Sequence, residues 1–309
     1  MPDYHTPFWV GDREFSAEDL ATIQNMAYRC RRFSRSEIAA TICETLAWKS
    51  PNGRLKITAC YELLTKLERE GLVQLPAVQG SARRVNSDTE AEPLSALSLE
   101  APLAGLRPVT LEPVPSDQLR IWNATMAAYH PLGYRRPVGA HQRYWIQAQQ
   151  GAQRVTVGAL LFGAAAKAVE DRDSWIGWTA RDRSRYRWRI VNNNRFLILP
   201  GVHVPHLASH VLGRVLRRMP QDWLRRYGYR PVLLETFVEA PWEGTCYRAA
   251  NWIPVGVTAG RGRQDRYNKA ELPKKVIWMY PLHRQWRRLL LEPAPEPISD
   301  EDDEEGFWS

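Results

Sequence analysis

The chain has 309 residues, 44% of them hydrophobic, and a formal charge of +8. That length and apolar content suit one or two real cores and exclude a protein disordered throughout. No apolar run approaches a membrane span, and the start, MPDYHTPFWVGDREF, lacks the basic and apolar regions of a signal peptide, so a cytoplasmic protein with no membrane partner is expected. Six acids at 300–305 conceal a stronger bias, since without them the remaining charge is +14. A body so basic, and richer in arginine than lysine, favours polyanions.

Cys30, Cys43, Cys60 and Cys246 show no CxxC spacing and read as buried thiols. His203, His206 and His210 cluster, but no acid or cysteine near them in sequence completes a metal set, so no metal ligands are assigned.

Residues 1–76 read as a helical unit. Apolar positions Leu20, Ile23, Met26 and Ala27, then Ile38, Ile42 and Leu46, then Tyr61, Leu64 and Leu67 mark three helices. Ser34 with Glu37 forms a capping box, SPNG at 50–53 is a turn, and Gly71 closes the third helix before a short strand, LVQLP. Helix, turn, helix, glycine and strand is the order of a winged helix, whose third helix enters the major groove. Arg54, Lys56, Thr58 and Lys66 are its candidate readers; the alternative is a helical interaction domain without DNA contact. Residues 77–106, rich in Ser, Ala, Glu and Pro, read as a mobile linker.

From 107 to 291 strand and helix signals alternate. PVTLEPV is a strand, a helix runs from its cap Ser116 through Tyr129, and HQRYWIQAQ and QRVTVGALLFGAAA are strands. Arg135, Arg136 and Arg143 accompany the first of these two strands. DRDSWIGWTARDRSRYRWRI interleaves arginine with aromatics, and a short helix opening near Thr179 is expected there. Its Arg181 and Arg185, with Arg195 beyond, suit phosphate contact and stacking on bases. RFLILP, VPHLASHVLGRVLRRM (204–219), PVLLETFV and GTCYRAANW then read as strand, amphipathic helix, buried strand and short helix. A basic glycine loop follows, with Arg261, Arg263 and Arg266 beside glycines that let backbone and guanidinium reach an anion together. Residues 292–309, proline-rich then acidic and ending in Phe307 and Trp308, read as a disordered tail that solubilises, folds back on the basic body, or offers an aromatic hook.

Glu235 on the buried strand, with Cys246, Tyr247 and Asn251 on the next helix, forms a candidate catalytic set. Glu235 would serve as base, Tyr247 as acid, and Cys246 as a nucleophile if a cation lowered its pKa. His130 and His141 are the remaining candidates for strand-cleaving chemistry. The alternative is that Glu235 pairs with an arginine and closes the sheet.

The fold class expected is α+β, a winged-helix-like domain joined to a mixed-sheet core. The element order from Arg107 resembles the GNAT N-acetyltransferase fold, best at LILPGVHVPHLASHVL and YRAANWIPVG. That resemblance implies acetyl-CoA, yet acetyltransferases hold its pyrophosphate on a glycine-rich turn where this chain has HLASH; cofactor use is left open, as is a divalent metal. SRSEIAATICETLAWKSPNGRLK, RRPVGAHQRYWI, NNNRFLILPGVHVPHLASHVLGR, RYGYRPVLLETFV and GTCYRAANWIPVGVTAGRGRQDR resemble, in order, the bacterial DruA-like family of Druantia anti-phage defence and transposon-associated proteins. The resemblance implies work on DNA in a defence or mobile-element setting, with transposase or defence proteins as partners. DNA binding is the leading expectation; the alternative is an acyltransferase or nuclease using the Glu235 and Tyr247 cleft.

Overall fold

A computed structural model of the chain describes residues 6–31, 33–50, 54–77, 91–137, 139–260 and 272–292. A hairpin of β1 (Phe8–Val10) and β2 (Arg13–Phe15) precedes three helices, α1 (Ala17–Arg29), α2 (Arg35–Thr45) and α3 (Ile57–Arg69). The helices lie where the apolar spacing puts them, because each buries one stripe: Leu20, Ile23 and Ala27 from α1, Ile38, Ala39, Ile42 and Cys43 from α2, Cys60, Leu63, Leu64 and Leu67 from α3. Ser16 and Ser34 each close a capping box, on Asp19 and Glu37. The strand expected after Gly71 does not form: residues 72–77 join no ladder among the described residues, and Glu68 holds this segment instead, accepting from Leu75 N–H at 3.3 Å while paired with Arg35 at 2.7 Å. The hairpin of the unit thus precedes α1 and no wing follows α3 among the described residues.

Residues 91–106 are packed, unlike the mobile segment expected from their composition. Leu94 N–H donates to Thr125 Oγ1, and β3 (Leu99–Glu100) pairs in parallel with β8 (Val202–His203). Leu99 and Leu106 are buried, so apolar side chains spaced through a polar stretch anchor it.

The core is a seven-stranded mixed sheet in the order β10 (Ile253–Val257), β11 (Lys275–Pro281), β9 (Leu233–Glu239), β7 (Ile190–Ile198), β6 (Gln153–Ala164), β5 (His141–Gln150), β4 (Val109–Pro113). Within it only β7 and β9 run parallel, joined by the crossover helix α7 (Leu207–Tyr227), as a parallel pair requires. Their ladder covers Ile190–Asn192 against Leu233–Glu235 and stops there. The helix expected to end at Met219 runs through Pro220 because the buried stripe Val211, Val215, Met219, Trp223 and Tyr227 continues at a spacing of four; this packing offsets the roughly 3 kcal/mol cost of an interior proline.

Alternation along β9 divides the core. Leu234 and Thr236 face α7 and α8 (Thr245–Ala249), while Leu233, Glu235 and Phe237 face α5 (Glu170–Ile176), α6 (Ala180–Tyr186) and α9 (Trp286–Leu291). α4 (Leu119–Tyr129) buries Trp122 and Met126; Ser116 opens a 3-10 turn before it rather than capping it. The short helix expected after Thr179 is α6, and Thr179 caps it with Asp182. The fold class is α+β, as expected. The helical unit docks on the core through Phe33 on Tyr227, ring centroids 4.4 Å apart, and through α2, whose Thr41 lies against Gly139.

Candidate functional site

The proposed acid and base lie on opposite faces of the sheet. Glu235 is fully buried, and both carboxylate oxygens are taken: Oε1 accepts from Ala166 N–H at 2.7 Å and Oε2 from Arg172 Nη1 at 2.8 Å. Arg172, also fully buried, reaches Asp173 at 2.7 Å; burial alone would lower its pKa, but Glu235 and Asp173 together hold it above the ordinary value. Tyr247 lies under the other face, where its hydroxyl donates to Asn193 Oδ1 at 2.7 Å. Burial raises that phenol well above its usual range, which makes it a poor proton donor at neutral pH.

Burial likewise raises the Cys246 thiol, the reverse of an activated nucleophile. Asn251, at φ +61°, follows α8 as a left-handed cap and is exposed. His141 is buried with Nδ1 2.8 Å from Gly139 O, and burial, partly opposed by that bond, pushes its pKa down to about 4. His130, pushed down to about 4 by burial and then by Arg195, accepts from Leu132 N–H. The six catalytic candidates therefore form no common site.

A cleft of about 1330 Å³ opens on the Glu235 face. Its walls are β6 and β7 at Gly163 and Asn192–Arg195, the turn 166–169 with the start of α5, the ends of β10 and β11, and Glu44, Ala47 and Lys49 of the helical unit. Eight cations line it, Lys49, Arg135, Arg136, Lys167, Arg183, Arg195, Lys274 and Lys275, against four acids, Glu44, Glu170, Asp171 and Asp173. Of these acids, Asp173 binds Arg172 and Arg183, and Asp171 accepts from Val257 N–H at 2.8 Å. Lys275 pairs with Glu239, and Arg195 is pinned on the carbonyls of Gly133 and Asn194. Lys49, Arg135, Arg136, Lys167 and Lys274 are exposed and make no ion pair among the described residues. Lys167 has a lowered pKa, first from burial and then from Arg187, Lys49, Arg13 and Arg183, so cations converge on it. An anion in this place would relieve that repulsion.

Deeper in the cleft, polar atoms have no partner among the described residues. Asn192, 5% exposed, has an unpartnered Oδ1, as does Asn194. Asn194 is the extra residue of a bulge, since Leu161 faces Arg195 and Phe162 faces Asn193. Its amide occupies the space over Gly163 that a Cβ there would need. The indole Nε1 of Trp178, another lining residue, is buried and equally unpartnered.

Of the sequence candidates for nucleic-acid contact, Arg135, Arg136 and Arg195 line this cleft. Arg143 turns away to Tyr134 and Trp122, and Arg54, Lys56 and Lys66 sit elsewhere, Lys56 paired with Asp12. In a helix, alternate arginines scatter: Arg181 and Arg185 are exposed outside the cleft, Arg183 enters it, and Arg189 is buried on the carbonyls of Leu289 and Glu292. Arg261, Arg263, Arg266 and the acidic tail lie outside the described residues; Gly260 and Leu272, which flank the basic loop, line the cleft. Sequence reasoning missed Lys49, Lys167, Lys274, Asn192 and Asn194. One signal was present, three asparagines inside an apolar strand that disfavours them.

The turn entering α7, where the GNAT resemblance would place the pyrophosphate of acetyl-CoA, does not fit that group. Leu99 N–H donates to Gly201 O at 2.9 Å, the Leu97 carbonyl packs directly on Gly201, and His206 occupies the helix entry. Among the described residues no three His, Cys, Asp or Glu side chains gather as a metal site, and no helix is long and apolar enough to cross a membrane.

A family model described as Druantia protein DruA matches residues 67–277, more than half of the chain. No curated protein matches it. Among solved structures, the chain is similar to a spermidine N-acetyltransferase SpeG chimera from Vibrio cholerae and hSSAT, at 12% identity over 60% of this chain and 99% of that one, with a TM-score of 0.36. It is also similar to aminoglycoside acetyltransferase AAC(6')-Ib in complex with coenzyme A, at 12% identity over 59% and 98%, TM-score 0.36. The ribosomal L7/L12 alpha-N-protein acetyltransferase RimL matches at 10% identity over 46% and 70%, TM-score 0.27. Likeness at these scores assigns no chemistry to any residue.

Proposed function

The chain belongs to the DruA family, and from that premise we propose that it is a DNA-binding protein of anti-phage defence or mobile elements, gripping DNA in the cationic cleft. The observation that carries this reading is the convergence of Lys49, Arg135, Arg136, Lys167 and Lys274, unpaired among the described residues, around one opening large enough for a polymer segment. Pockets for drug-sized ligands are roughly 300–1,000 Å³, which this cleft exceeds. Its binding energy would come mainly from counterion release. Arg261, Arg263 and Arg266, which stand between Gly260 and Leu272 in sequence, are further phosphate contacts in this reading. The exposed side of α3, with Thr58 and Lys66, is a second contact for duplex in this reading, and the acidic tail with Phe307 and Trp308 is its contact for partner proteins. Action in the cytoplasm follows from the same setting. No catalytic role is assigned to Glu235, Tyr247, Cys246, Asn251 or His141.

A salt titration of binding to duplex, single-stranded and forked DNA tests this, comparing the natural chain with Arg136→Glu/Lys167→Glu. Each phosphate that the variant no longer neutralises should flatten the slope of log K against log salt by about 0.7–0.9. Affinities and slopes equal in the two proteins would overturn the assignment of this cleft.

A further inference from the structure

The cations explain attraction to phosphate but leave the deeper atoms of the cleft unexplained. Phosphate oxygens only accept hydrogen bonds, so they cannot satisfy the unpartnered Oδ1 atoms of Asn192 and Asn194. A buried acceptor without a partner is costly, and one that persists in a strand calls for a reason. Both asparagines occupy backbone positions where an apolar side chain would pack at no such cost: Asn192 sits beside Glu235 in the parallel ladder, and Asn194 on the bulge that faces Gly163. Bulges commonly re-aim a side chain beside a functional site.

Depth orders these groups. Lys167 and Arg136 are exposed, whereas Asn192 is 5% exposed, and the buried Nε1 of Trp178 adds a donor to the same lining. Trp178 and Phe237 add aromatic surface. A ligand matching this arrangement carries anionic groups at the rim and, further in, a flat body with both donors and acceptors on its edge. A nucleobase on its phosphodiester backbone has that form: amino and ring N–H groups to donate, ring nitrogens and carbonyl oxygens to accept, and a face to stack. In duplex DNA the pairing edges are already used, so the base must be unpaired to enter.

Resting on the DNA-binding reading above, we infer that the cleft receives an unpaired segment of single-stranded DNA, with at least one base inserted toward Asn192, Asn194 and Trp178. The cations hold the backbone and the asparagine carbonyls accept from the base edge. This deepens the reading from a phosphate grip to a site that distinguishes unpaired from paired DNA.

Fluorescence anisotropy with three probes of equal length tests it: a mixed-sequence single strand, an abasic strand carrying the same phosphates, and a duplex. The natural protein is expected to bind the base-bearing strand at least about tenfold more tightly than the abasic one, the scale of one stacked and hydrogen-bonded base. Asn192→Leu, which keeps the branched side-chain skeleton and removes the acceptor, should bring the base-bearing strand toward the affinity of the abasic one, and Asn194→Leu should do the same. Equal affinity of the natural protein for base-bearing and abasic strands, or duplex binding as tight as single-strand binding, overturns the inference while leaving a phosphate grip in place. No binding to any probe overturns both readings. The abasic comparison uses the natural chain, so poor folding of a variant does not blunt it.

Discussion

Replacing Glu235 by glutamine separates a carboxylate that holds the sheet from one that would catalyse. Glu235 accepts from Ala166 N–H at 2.7 Å and from Arg172 at 2.8 Å, with neither side chain of the ion pair exposed. Glutamine keeps the shape but turns an amide N–H toward one of those donors, and leaves Arg172 with Asp173 as its remaining carboxylate. Removing one partner of a buried ion pair costs about 3–5 kcal/mol. With a urea slope of about 3 kcal/mol per molar, the unfolding midpoint should fall by about 1–1.7 M. Equilibrium unfolding followed by tryptophan fluorescence reads this directly, since the chain has 13 tryptophans. The double variant Arg172→Met/Glu235→Leu should recover part of the loss, because removing both charges also removes the cost of burying them. A Glu235→Gln variant within about 1 kcal/mol of the natural chain would refute the structural role of this carboxylate.

Tyr247→Phe deletes the donor to Asn193 Oδ1 and should cost about 1–3 kcal/mol in the same unfolding assay. Its DNA affinity should match the natural chain because Tyr247 lies under the other face of the sheet; a stable variant that fails to bind would return Tyr247 to the site. His141 has a folded pKa near 4, below the ordinary 6.5, so the unfolded chain takes up its proton first as pH falls. Its contribution is present above about pH 6.5 and is lost between there and about pH 4, a total on the order of 3 kcal/mol. His130 titrates in the same window. Urea midpoints measured between pH 7 and 4 should therefore fall less steeply for His141→Gln, and equal slopes in the two proteins would contradict the buried neutral imidazole.

What the sequence alone determined is local. Apolar spacing placed α1, α2 and α3, Thr179 marked the start of α6, and the runs QRVTVGALLFGAAA and PVLLETFV became central strands, because period and capping are written in neighbouring residues. Family motifs ordered along the chain also carried membership. Where local signals and packing disagreed, packing decided: α7 passed Pro220 to bury Trp223 and Tyr227, and Leu94, Leu99 and Leu106 fastened a segment whose composition read as a linker. The site itself was hidden for a related reason. Glu235 and Tyr247 lie close in sequence but on opposite sides of the sheet, whereas the partner that fixes Glu235, Arg172, lies 63 residues away. Lys49 and Lys167 meet across the docking of the helical unit on the core, and Asn194 faces the cleft through a bulge that shifts the strand register. Side-chain direction and long-range charge convergence arise from how strands pair and units dock, which residue order does not specify by itself.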